Sequence, residues 1–130
     1  MPDNSIVLDF LAISAGAVVG ASLRYWMSRF AVSLLRPVFP WGTLAINVLG
    51  SFVLGFFLVW TTERVMVDTR WRLLIAVGFC GSYTTFSSYA FETMAFLKQG
   101  QWMLMAANFV ANNLLACLAV LAGMAVARVL

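Results

Sequence analysis

The chain has 130 residues, of which 63% are hydrophobic and 10% charged, with a net charge of +3 and no histidine. Soluble domains carry roughly 25% charged residues, so this composition excludes a water-soluble globular fold and sets the class as all-α integral membrane, a single transmembrane domain over residues 1–130. The charges lie at the ends of apolar segments and form no basic, aromatic-interleaved stripe, which excludes nucleic acid as the partner.

The N-terminal Met1-Pro2-Asp3-Asn4 lacks a basic region, so no cleavable leader is expected. A first span is predicted over 6–29, with Asp9 near one end and Arg24 near the other. Gly16, Gly20 and Arg24 are four apart and share a helix face. The two glycines read as a close-packing surface. Pro37 and Pro40 mark a short connection to a second span over 41–62, which carries no charge. Along it Thr43, Asn47, Ser51 and Gly55 form a polar and small-residue stripe at the same spacing.

The third span, over 71–97, is the informative one. Its centre reads Gly78-Phe79-Cys80-Gly81-Ser82-Tyr83-Thr84-Thr85-Phe86-Ser87-Ser88, poor helix-forming text inside an uncharged stretch from Leu73 to Phe91. A helix broken at membrane depth frees N–H and C=O groups that lipid cannot satisfy. Such breaks line polar cavities and bind ions. A break is therefore expected near Gly81–Thr85, pointing to an ion pathway. The fourth span, over 102–128, carries Asn108 and Asn112 four apart, with Ala116 continuing the row. Trp26, Trp41, Trp60, Trp71 and Trp102 all fall near span ends, as expected of tryptophan at the membrane interface.

With four spans, Arg64, Arg70, Arg72 and Arg128 share a side with both termini, and Arg24, Arg29, Arg36 and Lys98 lie opposite. The near-equal split gives no orientation under the positive-inside rule. The expectation is a dual-topology chain pairing as an antiparallel homodimer. Four spans also leave little interior for a pathway, which independently favours assembly.

A proton-coupled exporter of the small multidrug type needs a carboxylate near the middle of its first span, and Ile13 to Leu23 has none. It is the alternative function, with a non-transporting membrane scaffold as a third reading. An enzyme is not expected, because no serine or cysteine has an evident base. Cys80 and Cys117 lack metal-ligand spacing and read as free thiols. The lining of amides, hydroxyls and rings is neutral and rich in donors, which suits a small anion. Asn47 and Asn112 are expected to line the pathway, each amide offering two donors, with Thr43 and Asn108 beside them on the same rows. Phe86 and Tyr89, three apart beyond the break, present electropositive ring edges. These residues alone leave the identity of the anion open.

Three segments carry a resemblance: Gly16-Ala17-Val18-Val19-Gly20-Ala21-Ser22-Leu23-Arg24-Tyr25, Trp41-Gly42-Thr43-Leu44-Ala45-Ile46-Asn47-Val48-Leu49-Gly50-Ser51-Phe52, and the run from Gly78 to Tyr89. Together they resemble the Fluc (CrcB-type) fluoride channels over essentially the full chain. The resemblance implies four transmembrane helices, the third broken near its middle, in an antiparallel dual-topology homodimer with two fluoride pores. It implies passive export of cytoplasmic fluoride across the inner or plasma membrane of a bacterium. It also implies a structural sodium ion held by the backbone carbonyls of Gly81 and Thr84. Asn47 then matches the pore asparagine, Phe86 the first pore phenylalanine, and Ser87 and Ser88 neighbouring hydroxyls. Asn112 falls on the polar track of the fourth helix, Arg24 on the arginine ending the first span, and Glu92 on the acid after the break. Four positions depart from the pattern. Tyr89 stands in place of the second phenylalanine, Ser82 of a glycine, Asn108 of a frequent tyrosine and Ala116 of a serine. Gly81 is expected to be needed for the torsions of the turn, and Asn47→Asp to impair conduction by repelling anions.

Overall fold

A computed structural model describes residues 3–130, and every regular element in it is helical. Helix α1 is Asn4–Leu34, and α2 is Trp41–Val59, continued by π-helical turns over Trp60–Arg64. Helix α3 (Thr69–Arg72) runs through a π-helical stretch, Leu73–Cys80, into α4 (Gly81–Tyr83). Helices α5 (Phe86–Lys98) and α6 (Trp102–Val129) complete the chain. Three of these, α1, Trp41–Arg64 and α6, are long and apolar enough to cross a membrane. At ~1.5 Å per residue the 31 residues of α1 exceed a hydrocarbon core of about 30 Å, so its ends reach past the apolar slab.

The helix ends are set by local chemistry. Asp3 caps α1, accepting from the Ser5 hydroxyl at 2.8 Å and the Ser5 amide at 3.2 Å, bonds that hold its carboxyl below the ordinary range. Gly100, at φ +70°, closes α5. Around it the Gln101 amide reaches Phe96 O and the Gly100 amide reaches Leu97 O. That double return is favoured by glycine, and it turns the chain straight into α6.

Helix α2 is the centre of the packing. Of its most apolar window 39% is buried, against 11% for α1 and for α6, so those two helices present most of their surface outward. Close approach is made by glycine. A β-carbon on Gly16 would strike Leu74 O, and one on Gly78 would meet the α1 backbone at Ile13 O and Gly16 Cα. Between α2 and α6, a β-carbon on Gly55 would strike Val120 O, and one on Gly123 would strike Phe52 O. Gly16, Gly20 and Gly55 thus sit on packing surfaces: backbones meet where no side chain intervenes. The tryptophans at positions 26, 41, 71 and 102 are all exposed.

Arg70 pairs with Asp9 at 3.6 Å, Arg128 with Glu63 at 3.3 Å, and Arg64 reaches the Arg128 carbonyl. The start of α1, the end of α2, α3 and the end of α6 therefore meet at one end of the bundle. These pairs are about half exposed and contribute little to stability. They do place Asp9 at the rim of the bundle, tied to an arginine, and away from its middle.

The interruption after α4 is narrower than the sequence suggests. Thr84 and Thr85 alone are extended, at φ −74°, ψ 155° and φ −145°, ψ 105°. Gly81 has ordinary helical torsions of −63° and −33°, and a β-carbon on it meets only Ala76 O at 3.9 Å. The expected torsional need for glycine at 81 is therefore corrected: the conformation there is one any residue adopts. Space within the chain is tight instead at Gly50, where a β-carbon would strike the Thr84 methyl and touch the Tyr83 ring.

Gly16→Val and Gly55→Val should each destabilise the chain by about 3 kcal/mol, the upper range for overpacking. Gly81→Ala should leave its fold unchanged. Melting midpoints in detergent, with far-UV circular dichroism for helix content, measure all three.

Candidate functional site

The site is built around the two extended residues. A break leaves carbonyls at the end of one helix and amides at the start of the next without partners. Asn47, on the adjacent face of α2, repairs it. Its Oδ1 accepts the Thr85 amide at 2.8 Å, and its Nδ2 donates to the Thr85 carbonyl at 3.1 Å. One side-chain amide thus pairs with both backbone groups of one residue, as a neighbouring strand would. The Thr85 hydroxyl caps α5, accepting from the Ser88 amide at 3.2 Å and donating to the Ser88 hydroxyl at 3.0 Å. The Ser87 hydroxyl lies 3.5 Å away.

From Asn47 a directed ladder runs into α6 and back to α5. Asn47 Nδ2 donates to Asn112 Oδ1 at 3.1 Å, and Asn112 Nδ2 donates to Asn108 Oδ1 at 2.9 Å and to Asn108 O at 3.1 Å. Asn108 Nδ2 donates to the Thr93 hydroxyl at 3.0 Å, which donates to the Tyr89 carbonyl at 2.7 Å. Asn108, Asn112 and Thr93 are buried. A primary amide has two hydrogens, and both are committed in Asn47 and in Asn112. In this arrangement the two residues hold the break and its flanks together and have no hydrogen left for an ion.

Other expected residues sit around this brace. Thr43 is buried and donates to Glu92 Oε1 at 2.7 Å, while Glu92 Oε2 is buried without a partner among the described residues. Thr43, Ser88 and Glu92 line a cavity of about 420 Å³ that also takes in Ser28, Arg36 and Gln99. It runs from the α1–α2 connection toward the start of α5. Phe86 is 76% exposed on the outside of the chain and Tyr89 is 6% exposed, their rings 5.4 Å apart and 66° inclined. Arg24 is half-buried on α1 and, among the described residues, forms no ion pair. It is not part of the Asn47 ladder.

Three participants lie outside the residues singled out by sequence: Thr85, Thr93 and Asn113, whose Nδ2 donates to the Tyr89 hydroxyl at 2.8 Å. Thr85 was hidden within the hydroxyl-rich run, and Thr93 lies four residues after Tyr89 on the same face. Asn113 is adjacent to Asn112 but off the every-fourth-residue row, so a periodicity argument passes over it.

Two extended residues between α4 and α5 are thus braced from α2, near a mostly apolar cavity that Thr43, Ser88 and Glu92 also line. A family model described as "CrcB-like protein, Camphor Resistance (CrcB)" matches residues 11–124. The chain belongs to this CrcB family. A protein of Koribacter versatilis named "Fluoride-specific ion channel FluC" is 57% identical over 122 residues, 94% of this chain and 97% of the relative. Proteins with the same name from Sulfurihydrogenibium sp. and Roseiflexus sp. are 40% and 42% identical, covering 93% and 95% of this chain and 98% and 99% of their own lengths. With three apolar helices of spanning length, this CrcB-family chain is a multi-pass cell membrane protein. Every group of the brace, the ladder and the cavity lies within the matched residues.

Asn47→Leu should orphan the Thr85 amide and carbonyl and the Asn112 carbonyl, each costing about 1–3 kcal/mol when buried. Asn47→Asp should lose the two donations and set a carboxylate against two acceptors. Both should lower the melting midpoint in detergent well below that of Thr43→Val, which breaks a single bond.

Proposed function

We propose that the chain is a fluoride-selective channel that lets cytoplasmic fluoride leave passively and so lowers its toxicity. The observation that carries this reading is membership of the CrcB family, with near-full-length relatives named fluoride-specific channels. In this reading the helical pieces Thr69–Tyr83 and Phe86–Lys98 make one further membrane passage, the third of four, broken at Thr84 and Thr85. Two chains pair antiparallel as a homodimer embedded in lipid. Support for the pairing comes from the balanced Lys/Arg split and from Phe86, a large ring left uncovered beside the break.

The path follows the groups left free by the brace. Thr43, Ser88 and Glu92 line the cavity that admits the ion from one side. Ahead lies the start of α5, where the amides of Phe86 and Ser87 have no partner among the described residues. A helix start carries partial positive charge and attracts anions. The Ser87 and Ser88 hydroxyls and the Phe86 ring edge add donors and positive potential there. Asn47, Asn112 and Asn108 serve this path by fixing its walls. Arg24 supplies positive charge nearer the rim.

A sodium ion fits the backbone at the break. Among the described residues no hydrogen bond reaches the carbonyls of Gly81 or Thr84. The Thr85 amide that would ordinarily bond Gly81 O is turned to Asn47, while the Thr84 amide and hydroxyl both bond Cys80 O. Gly81 is exposed on the surface of the single chain, open to a second copy. Gly81 and Thr84 of both chains would hold the ion through carbonyl oxygens, the donor type a hard cation prefers. When bound, it supplies charge neutralisation to carbonyls that lipid cannot satisfy.

Purified protein in liposomes should release fluoride rapidly, with chloride efflux indistinguishable from protein-free liposomes. Equal efflux of the two anions would refute the reading. Phe86→Ile removes a ring edge from the path and should slow fluoride efflux about tenfold, near the upper worth of an aromatic contact. Gel filtration of the same variant should still show dimers.

A further inference from the structure

Tyr89 is gripped by α6 at two points. Its carbonyl is reached through Thr93 and Asn108, at 2.7 and 3.0 Å. Its hydroxyl is reached by Asn113, whose Nδ2 lies 2.8 Å away and also 2.8 Å from the Phe109 carbonyl. The second contact decides the direction of the first. A backbone carbonyl only accepts, so the nitrogen of the Asn113 amide must face Phe109 O, and the flip ambiguity usual for asparagine is removed. The same nitrogen then donates its other hydrogen to Tyr89. The tyrosine oxygen is the acceptor, and its own hydrogen points away from Asn113. The ring so held stands edge to face with Phe86, at 5.4 Å, and is almost wholly buried.

Resting on the channel reading above, we propose that Asn113 is a positioning residue of the anion path: it clamps the Tyr89 hydroxyl so that the ring stays set against Phe86. Asn47 and Asn112 are committed to the break, and no other described side chain bonds the Tyr89 hydroxyl. Without the clamp, the hydroxyl loses its side-chain partner at the edge of the chain, where Asn113 is exposed, and the ring is free to shift from its place against Phe86. The clamp is needed only because residue 89 carries a hydroxyl. Phenylalanine at 89 has nothing to satisfy and can pack against Phe86 unaided.

The test uses four full-length dimers in liposomes: wild type, Asn113→Leu, Tyr89→Phe and the double variant. Fluoride efflux is normalised to folded dimer and read well below every melting midpoint. Asn113→Leu should lower efflux about tenfold, the effect of leaving one buried hydroxyl unpartnered. The double variant should return to within about twofold of Tyr89→Phe, because removing both partners of a hydrogen bond is nearly neutral. Wild-type efflux in Asn113→Leu, even with a lowered melting midpoint, would overturn the proposal by reducing Asn113 to a stability role. Equal impairment by Asn113→Leu in the tyrosine and phenylalanine backgrounds would also overturn it. Absence of fluoride efflux from the wild type would refute the channel reading instead. The same four melting midpoints would then decide the clamp: a shift confined to the tyrosine background supports it, and an equal shift in both overturns it.

Discussion

A peptide group inside an apolar slab must be paired, and the pairing of Thr85 with Asn47 is the interaction on which the rest of this structure depends. Two extended residues in a helix would free a cluster of backbone groups, each costly to leave bare. A side-chain amide is the one neutral group that offers an acceptor and donors at the spacing of a peptide. Asn47 presents both to Thr85 and has one hydrogen left, which starts the ladder through Asn112, Asn108 and Thr93. The ladder ends on the Tyr89 carbonyl. One α2 side chain thereby fixes the entry to α5, the register of α6 against it and the backbone of an aromatic beside the break. Low local dielectric strengthens such a network when every member is satisfied. That explains how a short, mostly apolar bundle holds a non-helical stretch in place.

The glycines serve the same end from outside the break. Gly50 lets Tyr83 and Thr84 lie on α2, bringing Thr85 within reach of Asn47. Gly16 and Gly78 bring α1 onto the first half of the broken segment, and Gly55 and Gly123 seat α6 along α2. In lipid, where apolar surface gains little by meeting apolar surface, such backbone-to-backbone contact is a main source of helix association. The outer faces of α1 and α6 stay uncovered, as does Phe86.

Much of this was legible in the sequence. The apolar runs gave the starts of the three long helices closely, whereas α1 runs on to Leu34, past the expected end at Arg29. Within the glycine and hydroxyl text from Gly78 to Ser88, only Thr84 and Thr85 are extended. Spacing by four gathered Thr43, Asn47, Asn108 and Asn112 onto faces that do meet. What the sequence could not show was direction. Whether an amide points at an ion or at a peptide depends on which backbone lies opposite, and no periodicity contains that. Asn47 and Asn112 read as pathway donors, yet their hydrogens are committed within the protein. Gly81 read as a torsional necessity, yet the extended residues are the threonines after it. Asn113 went unread because it sits one residue off the polar row, and its partner, the Tyr89 hydroxyl, comes from another helix.

Residue-resolved hydrogen exchange by NMR in the lipid-embedded protein reads the pairing of Thr85 with Asn47 through the amides around it. Thr85 should exchange slowly, like amides in the interior of α6, because Asn47 holds it. Phe86 and Ser87, exposed at the start of α5, should exchange much faster. Thr85 exchanging as fast as those two neighbours would mean that the amide brace is not closed in the membrane, and would refute the pairing as the interaction that holds Thr85 in place.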